Sequence, residues 1–178
     1  MPAYSYAPLP GELDALVGMG MNRVKLAIAV ALAEHVAGSE AAFVAMMNEK
    51  AHALGCANTR FVNATGLPET GTSDDCVSSA RDVAIMSREL LRYPKVHEWL
   101  TIWIGYVRDG KNMLTNTNRL IRFYPGADGV KTGYTDRAKY CLSATAVRNN
   151  VRVIGVVLGV PTSSVRFAEA STLLDYGF

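Results

Sequence analysis

Tyr140-Cys-Leu-Ser-Ala-Thr-Ala-Val-Arg-Asn-Asn-Val-Arg-Val-Ile-Gly-Val-Val-Leu-Gly-Val160 is the stretch that decides the fold class. Tyr140 to Arg148 reads as a strand, Asn149-Asn150 as a two-residue turn, and Val151 to Val160 as a second strand returning beside the first. The Asn pair suits a type I′ turn, because both central positions need φ > 0 and Asn tolerates that better than most residues. Pro161 ends the second strand. Ser164 to Tyr176 follows as an amphipathic helix with Phe167, Ala170, Leu173 and Leu174 facing inward. Just upstream, Val130 to Thr135 is extended. Antiparallel strands with segregated helices make an α+β domain.

Further towards the N-terminus, Trp103 to Arg108 reads as a strand, and Asp109-Gly110 signals a hairpin leading into Asn112 to Thr115. Pro94 opens a short helix through Leu100, since proline suits the first helical position. Ser79 to Asp82 resembles a capping box with Asp in place of Glu. It opens a helix carrying Val83, Ser87, Leu90 and Leu91 on one face, stopped by Tyr93-Pro94. Residues 57–78 are loop-rich, with an extended piece at Thr59 to Asn63 and turn signals at Gly66, Pro68 and Gly71. Ser39 caps a helix that carries Phe43, Met46, Met47, Lys50 and Leu54 and ends at Gly55, with Glu40 favourably placed in its first turn. The methionine pair reads as core packing. Leu26 to Ala37 reads as a buried helix ended by Gly38. Residues 1–25, with Pro2, Pro8 and Pro10 ahead of Arg23 and Lys25, differ in composition from residues 26–178 and form an atypical N-terminal segment.

Composition excludes several classes. The 178 residues are 49% hydrophobic and 19% charged with a net charge of +2, which describes a globular protein with its charges scattered. Nothing marks a nucleic-acid partner. Leu26 to Ala33 is far too short for a membrane span. No signal peptide is expected, because residues 1–20 lack a basic start and Pro8, Pro10, Glu12 and Asp14 interrupt any apolar region. Cys56, Cys76 and Cys141 have no CxxC spacing, and His35, His52 and His97 have no ligand spacing, so neither a disulfide framework nor a metal is expected.

The chemistry gathers in Gly129-Val-Lys-Thr-Gly-Tyr-Thr135. Lys131 brings a positive charge to where a carboxylate can lie, Thr132 offers a hydroxyl donor, and Gly133 lets a ligand approach the backbone. An extended peptide can also pair with such a strand through main-chain hydrogen bonds. A three-residue match is weak alone, for it also describes a strand end with an exposed lysine.

The surrounding text is more specific. Asn116-Thr-Asn-Arg-Leu-Ile-Arg-Phe-Tyr-Pro-Gly-Ala-Asp-Gly-Val-Lys-Thr-Gly-Tyr-Thr135 resembles the penicillin-binding D-Ala-D-Ala carboxypeptidases. So do Ala138-Lys-Tyr-Cys-Leu-Ser-Ala-Thr-Ala146, the closing Leu173-Leu-Asp-Tyr-Gly-Phe178, Val30-Ala-Leu-Ala-Glu-His-Val-Ala-Gly-Ser39 and Asn58-Thr-Arg-Phe-Val-Asn-Ala-Thr-Gly-Leu67. The likeness runs nearly unbroken from Val30 to Phe178 and is nearest to the Gram-positive, sporulation-associated branch. It implies the fold of penicillin-binding proteins and β-lactamases, an antiparallel sheet with flanking helices and a helical subdomain. It also implies removal of the terminal D-Ala from peptidoglycan stem peptides through an acyl-serine intermediate, in the cell envelope, without a cofactor. Such an enzyme, when complete, also takes β-lactams. Of the family's three motifs, the one that binds the terminal carboxylate carries over onto Lys131, Thr132 and Gly133. Asn118 and Arg119 stand where the family keeps polar support near that strand.

The other two motifs do not carry over. No Ser-x-x-Lys and no Ser-x-Asn occurs in these 178 residues, and the second is expected near Val24-Lys-Leu26. No catalytic residue is therefore assigned. A serine hydroxyl without an activating base is a poor nucleophile. The chain is expected to be a partial catalytic domain, without the N-terminal strands and nucleophile helix of the family, and inactive alone. Alternatively it is a relative that binds D-Ala-D-Ala without turning it over. A β-lactamase or esterase of the same fold is the more distant reading. Marginal stability is expected from unpaired strand edges.

Overall fold

A computed structural model describes residues 21–67 and 76–178. Most of the atypical N-terminal segment, and the turn signals Pro68 and Gly71, lie outside the described residues. The chain divides into two units, residues 1–50 with 60–76, and residues 51–59 with 77–178.

In the first unit, α1 (Met21–Ala37) ends at Gly38, whose φ of +81° is the left-handed value that closes a helix. α2 (Glu40–Ala53) is capped by Ser39, whose hydroxyl accepts the Ala42 N–H at 3.1 Å. Several departures from expectation appear here. α1 begins earlier than Leu26, and over residues 28–37 it is largely exposed: Ile28, Leu32 and Val36 are more than half exposed, while Ala33 is fully covered. Alanine- and leucine-rich composition favours a helix but carries no direction, and it does not say what the helix packs against. Met46 is likewise 49% exposed rather than core. The extended piece at Thr59 to Asn63 carries a single β-bridge residue, Arg60, and no full strand. There the Asn48 side chain replaces a strand partner, accepting the Phe61 N–H at 2.8 Å and donating to the Phe61 carbonyl at 2.8 Å.

The second unit holds α3 (Ala80–Leu90), α4 (Pro94–Leu100), the hairpin β1 (Ile104–Val107) and β2 (Asn112–Thr115), and α5 (Leu120–Phe123). After these come β3 (Ala127–Thr135), β4 (Lys139–Arg148), β5 (Val151–Val160) and α6 (Ser163–Gly177). Strands β3, β4 and β5 form one antiparallel sheet in that order, while β1 and β2 pair separately. This is the expected α+β organisation. Asn149 and Asn150 adopt φ of +49° and +63°, so the turn has the left-handed backbone anticipated from its two asparagines. Ser79 caps α3 by accepting the Asp82 N–H at 3.2 Å.

The core lies between the sheet and α6. Leu142, Ala144, Ala146 and Val157 present one face of β4 and β5 to Ala170 and Leu174, all nearly inaccessible to water. α6 sits this close because Gly155 of β5 has no side chain, and a Cβ there would meet Leu173 at 3.4 Å. The inward line of α6 differs from expectation by one position. Arg166, Ala170 and Leu174, spaced by four, are buried, whereas Leu173 is 44% exposed.

Candidate functional site

β3 is an outer strand of the sheet among the described residues, and it carries Lys131, Thr132 and Gly133 opposite Ser143, Leu142 and Cys141 of β4. Side chains alternate along a strand, so neighbouring Lys131 and Thr132 leave opposite faces. Thr132 turns under the strand and is 7% exposed, and its hydroxyl shares a 2.7 Å hydrogen bond with the Thr117 hydroxyl. Lys131 is exposed, and its ammonium donates to the Thr132 carbonyl.

On the Lys131 face lies an open cavity of about 300 Å³. Val83, Met86 and Leu90 of α3 form one wall, while Leu158 of β5 contributes to the other, along the sheet. Lys131 is the charged group that lines it. Two hydroxyls also reach it: Ser87 of α3 and Ser143 of β4 share a 2.7 Å hydrogen bond, each nearly buried. Burying one hydroxyl in an apolar wall is costly, and the pair offsets that cost for both.

Asn118 and Arg119 separate in role. Asn118 is 2% exposed; its amide donates to the Gly129 carbonyl at 3.0 Å and its oxygen accepts the Leu120 N–H at 3.2 Å. It thus fastens the segment before α5 to the start of β3. Arg119 is exposed at the N-terminal boundary of α5. A Cβ at Gly133 would touch only the Cys141 Cβ, at 3.7 Å. The fold itself therefore does not demand glycine there, and any demand comes from what approaches the strand.

Arg166 is the residue that sequence reasoning missed. From α6 one of its nitrogens donates to the Gly133 carbonyl at 3.2 Å and to the Cys141 carbonyl at 3.3 Å, and the other to the Ser163 hydroxyl at 3.1 Å. Its guanidinium also lies over the Tyr140 and Phe167 rings. Burial lowers its pKa from the ordinary arginine value. The signal available in the sequence was its place four residues before Ala170, a cation in line with apolar positions. Among the described residues, no cluster of His, Cys, Asp or Glu gathers as metal ligands.

The lysine-threonine-glycine strand thus lies at one edge of a sheet backed by the C-terminal helix α6 and faced by α3 across an open cavity. The family model described as D-alanyl-D-alanine carboxypeptidase, peptidase S11, matches residues 18–162, and the chain belongs to that family. It is 51% identical to the D-alanyl-D-alanine carboxypeptidase DacF of Bacillus subtilis over 152 residues, covering 84% of this chain and 38% of that protein. Identity to DacA of Escherichia coli K12 is 38% over 154 residues. Among solved structures, the cefotaxime-bound penicillin-binding protein D2 of Listeria monocytogenes superposes with a TM-score of 0.76 at 36% identity, over 84% of this chain and 60% of that one. Penicillin-binding protein 5 of Haemophilus influenzae gives 0.75 at 37% identity, over 84% of this chain and 42% of that one. The chain thus spans well under half the length of these curated relatives.

Proposed function

We propose that this chain holds the D-Ala-D-Ala end of a peptidoglycan stem peptide, as the carboxylate-binding part of a serine-type D-Ala-D-Ala carboxypeptidase acting in the cell envelope. The observation that carries the reading is the position of Lys131-Thr132-Gly133 on an outer strand with Lys131 at an open cavity. The Lys131 ammonium attracts the terminal carboxylate, while the Thr132 hydroxyl, paired with Thr117 on the other face, holds the strand that presents it. The outer edge of β3 lines up the peptide by main-chain hydrogen bonds. Arg166 keeps the Gly133 end of the strand in place from behind. A β-lactam, which also carries a carboxylate beside an amide, competes for the same groups.

Hydrolysis needs an activated serine. No Ser-x-x-Lys and no Ser-x-Asn occurs in these 178 residues, so this chain by itself binds without releasing D-Ala. Titration of the isotopically labelled chain with a diacetylated Lys-D-Ala-D-Ala tripeptide tests the reading. Resonances of Val130 to Gly133 are expected to shift saturably, and the L-Ala-L-Ala peptide and the Lys131→Ala variant to show little response. Equal responses to both stereoisomers, or full retention in Lys131→Ala, would overturn it. No penicillin adduct is expected by intact mass.

A further inference from the structure

The Lys131 side chain reaches its face of the sheet because of one extra residue. Ala127 stands opposite Ala146 and Gly129 opposite Thr145, so two steps on β3 match one step on β4, and Asp128 is the residue of the bulge. Side chains alternate with period two, so that insertion inverts the facing of every later residue. A ladder continued evenly from Ala127 and Ala146 would put Lys131 opposite Leu142, on the core side. Thr132 would then stand opposite Cys141. With the bulge, Lys131 stands opposite Ser143, beside the cavity.

The bulge is held from the far edge of the sheet. Arg152 of β5 reaches across β4 and grips the Asp128 carboxylate with two parallel hydrogen bonds of 2.8 and 2.7 Å. The same guanidinium donates at 2.9 Å to the hydroxyl of Thr145, the buried residue at which the register resumes. His97 of α4 adds its Nδ1 at 3.5 Å from the same carboxylate. A bidentate fork of this kind fixes geometry as well as charge. The following Gly129 is closely packed: a Cβ there would press on the side chains of Leu100 at 3.0 Å and Thr145 at 3.1 Å.

The geometry points to Arg152 as a positioning residue: through Asp128 it sets the register that places Lys131 and Thr132 on their respective faces. Its effect on peptide binding rests on the function proposed above; its effect on register does not.

The test uses the full 178-residue chain as wild type, Arg152→Ala, Arg152→Lys and Asp128→Asn. Cross-strand proton contacts between Lys131 and Ser143 report the register, and the D-Ala-D-Ala tripeptide reports the consequence. In Arg152→Ala the Lys131–Ser143 contacts are expected to weaken in favour of Lys131–Leu142, with affinity down by about tenfold or more. Arg152→Lys keeps the charge without the fork and is expected to fall between. Intact Lys131–Ser143 contacts in Arg152→Ala would overturn the inference, even if its melting temperature dropped, because stability loss alone is a structural effect. If Arg152→Ala does not fold, Arg152→Lys and Asp128→Asn decide on the same contacts. If the wild type fails to bind the tripeptide, the proposed function falls while the register contacts still judge this inference.

Discussion

Gly133 and Arg166 lie 33 positions apart in the chain, and the guanidinium of the second hydrogen-bonds the carbonyl of the first at 3.2 Å. That bond ties the last helix to the end of the lysine-threonine-glycine segment. Arg166 also serves the Cys141 carbonyl and covers two aromatic rings. Arg166→Ala is expected to cost about 2–4 kcal/mol in urea denaturation, since it leaves carbonyls unpaired and a void beside the rings. Arg166→Lys is expected to recover less than half, because an ammonium cannot fork or stack in the same way.

The Ser87–Ser143 pair predicts a non-additive double mutant. Either single change to alanine leaves the other hydroxyl buried without its partner, and each is expected to cost about 1–2 kcal/mol. The double change removes both polar groups together. A double-mutant cycle by chemical denaturation is expected to show a loss clearly smaller than the sum of the singles.

Asp82 predicts acid sensitivity. Burial pushes its carboxyl up, but the Asn58 N–H at 2.7 Å, the Thr59 hydroxyl at 2.9 Å, the Ser79 hydroxyl and the Arg81 guanidinium outweigh it. Its pKa therefore lies below the ordinary 3.8. A depressed carboxyl stabilises the fold above the unfolded value, and this contribution is lost as pH falls through the folded value. Asp82→Asn is expected to be less stable at neutral pH and to show a shallower decline on acidification. Urea midpoints from about pH 2 to pH 7 measure both.

Tyr124 predicts the opposite limb. Burial, followed by the hydrogen bond its hydroxyl donates to Asp175 at 2.6 Å, pushes its pKa from 10.0 to about 12, against the opposing charge of Arg148. The neutral phenol is favoured in the folded state, so its contribution is complete below about pH 10 and is lost as pH rises through about 12. Tyr124→Phe is expected to flatten the alkaline fall in stability. The wild type is expected to show one late phenolate transition in ultraviolet absorbance that the variant lacks.

The parts of this fold that were legible in the sequence are those fixed by neighbours in the chain. Asn149-Asn150 requires its own left-handed turn, Pro94 starts its own helix, and Ser79 caps the residues beside it. Lys131, Thr132 and Gly133 stood out by chemistry and by likeness to a family. What was illegible depends on distant partners. The Asp128 bulge exists only relative to Ala146 and Thr145 of β4. Arg166 looked like any surface cation until Tyr140, Phe167 and two carbonyls closed around it. The exposed side of α1 failed for the same reason, because composition predicts a helix and leaves its neighbours unnamed.

Both tryptophans of the chain, Trp99 and Trp103, fall in the five residues that close α4 and enter β1. Trp99 is 61% exposed, while the Trp103 ring meets Phe123 edge-on at 5.9 Å. Intrinsic fluorescence is therefore a local signal from the hairpin neighbourhood. A melt followed by emission reports first on that corner, so folding studies that resolve the Lys131 end of the sheet need a probe placed there on purpose.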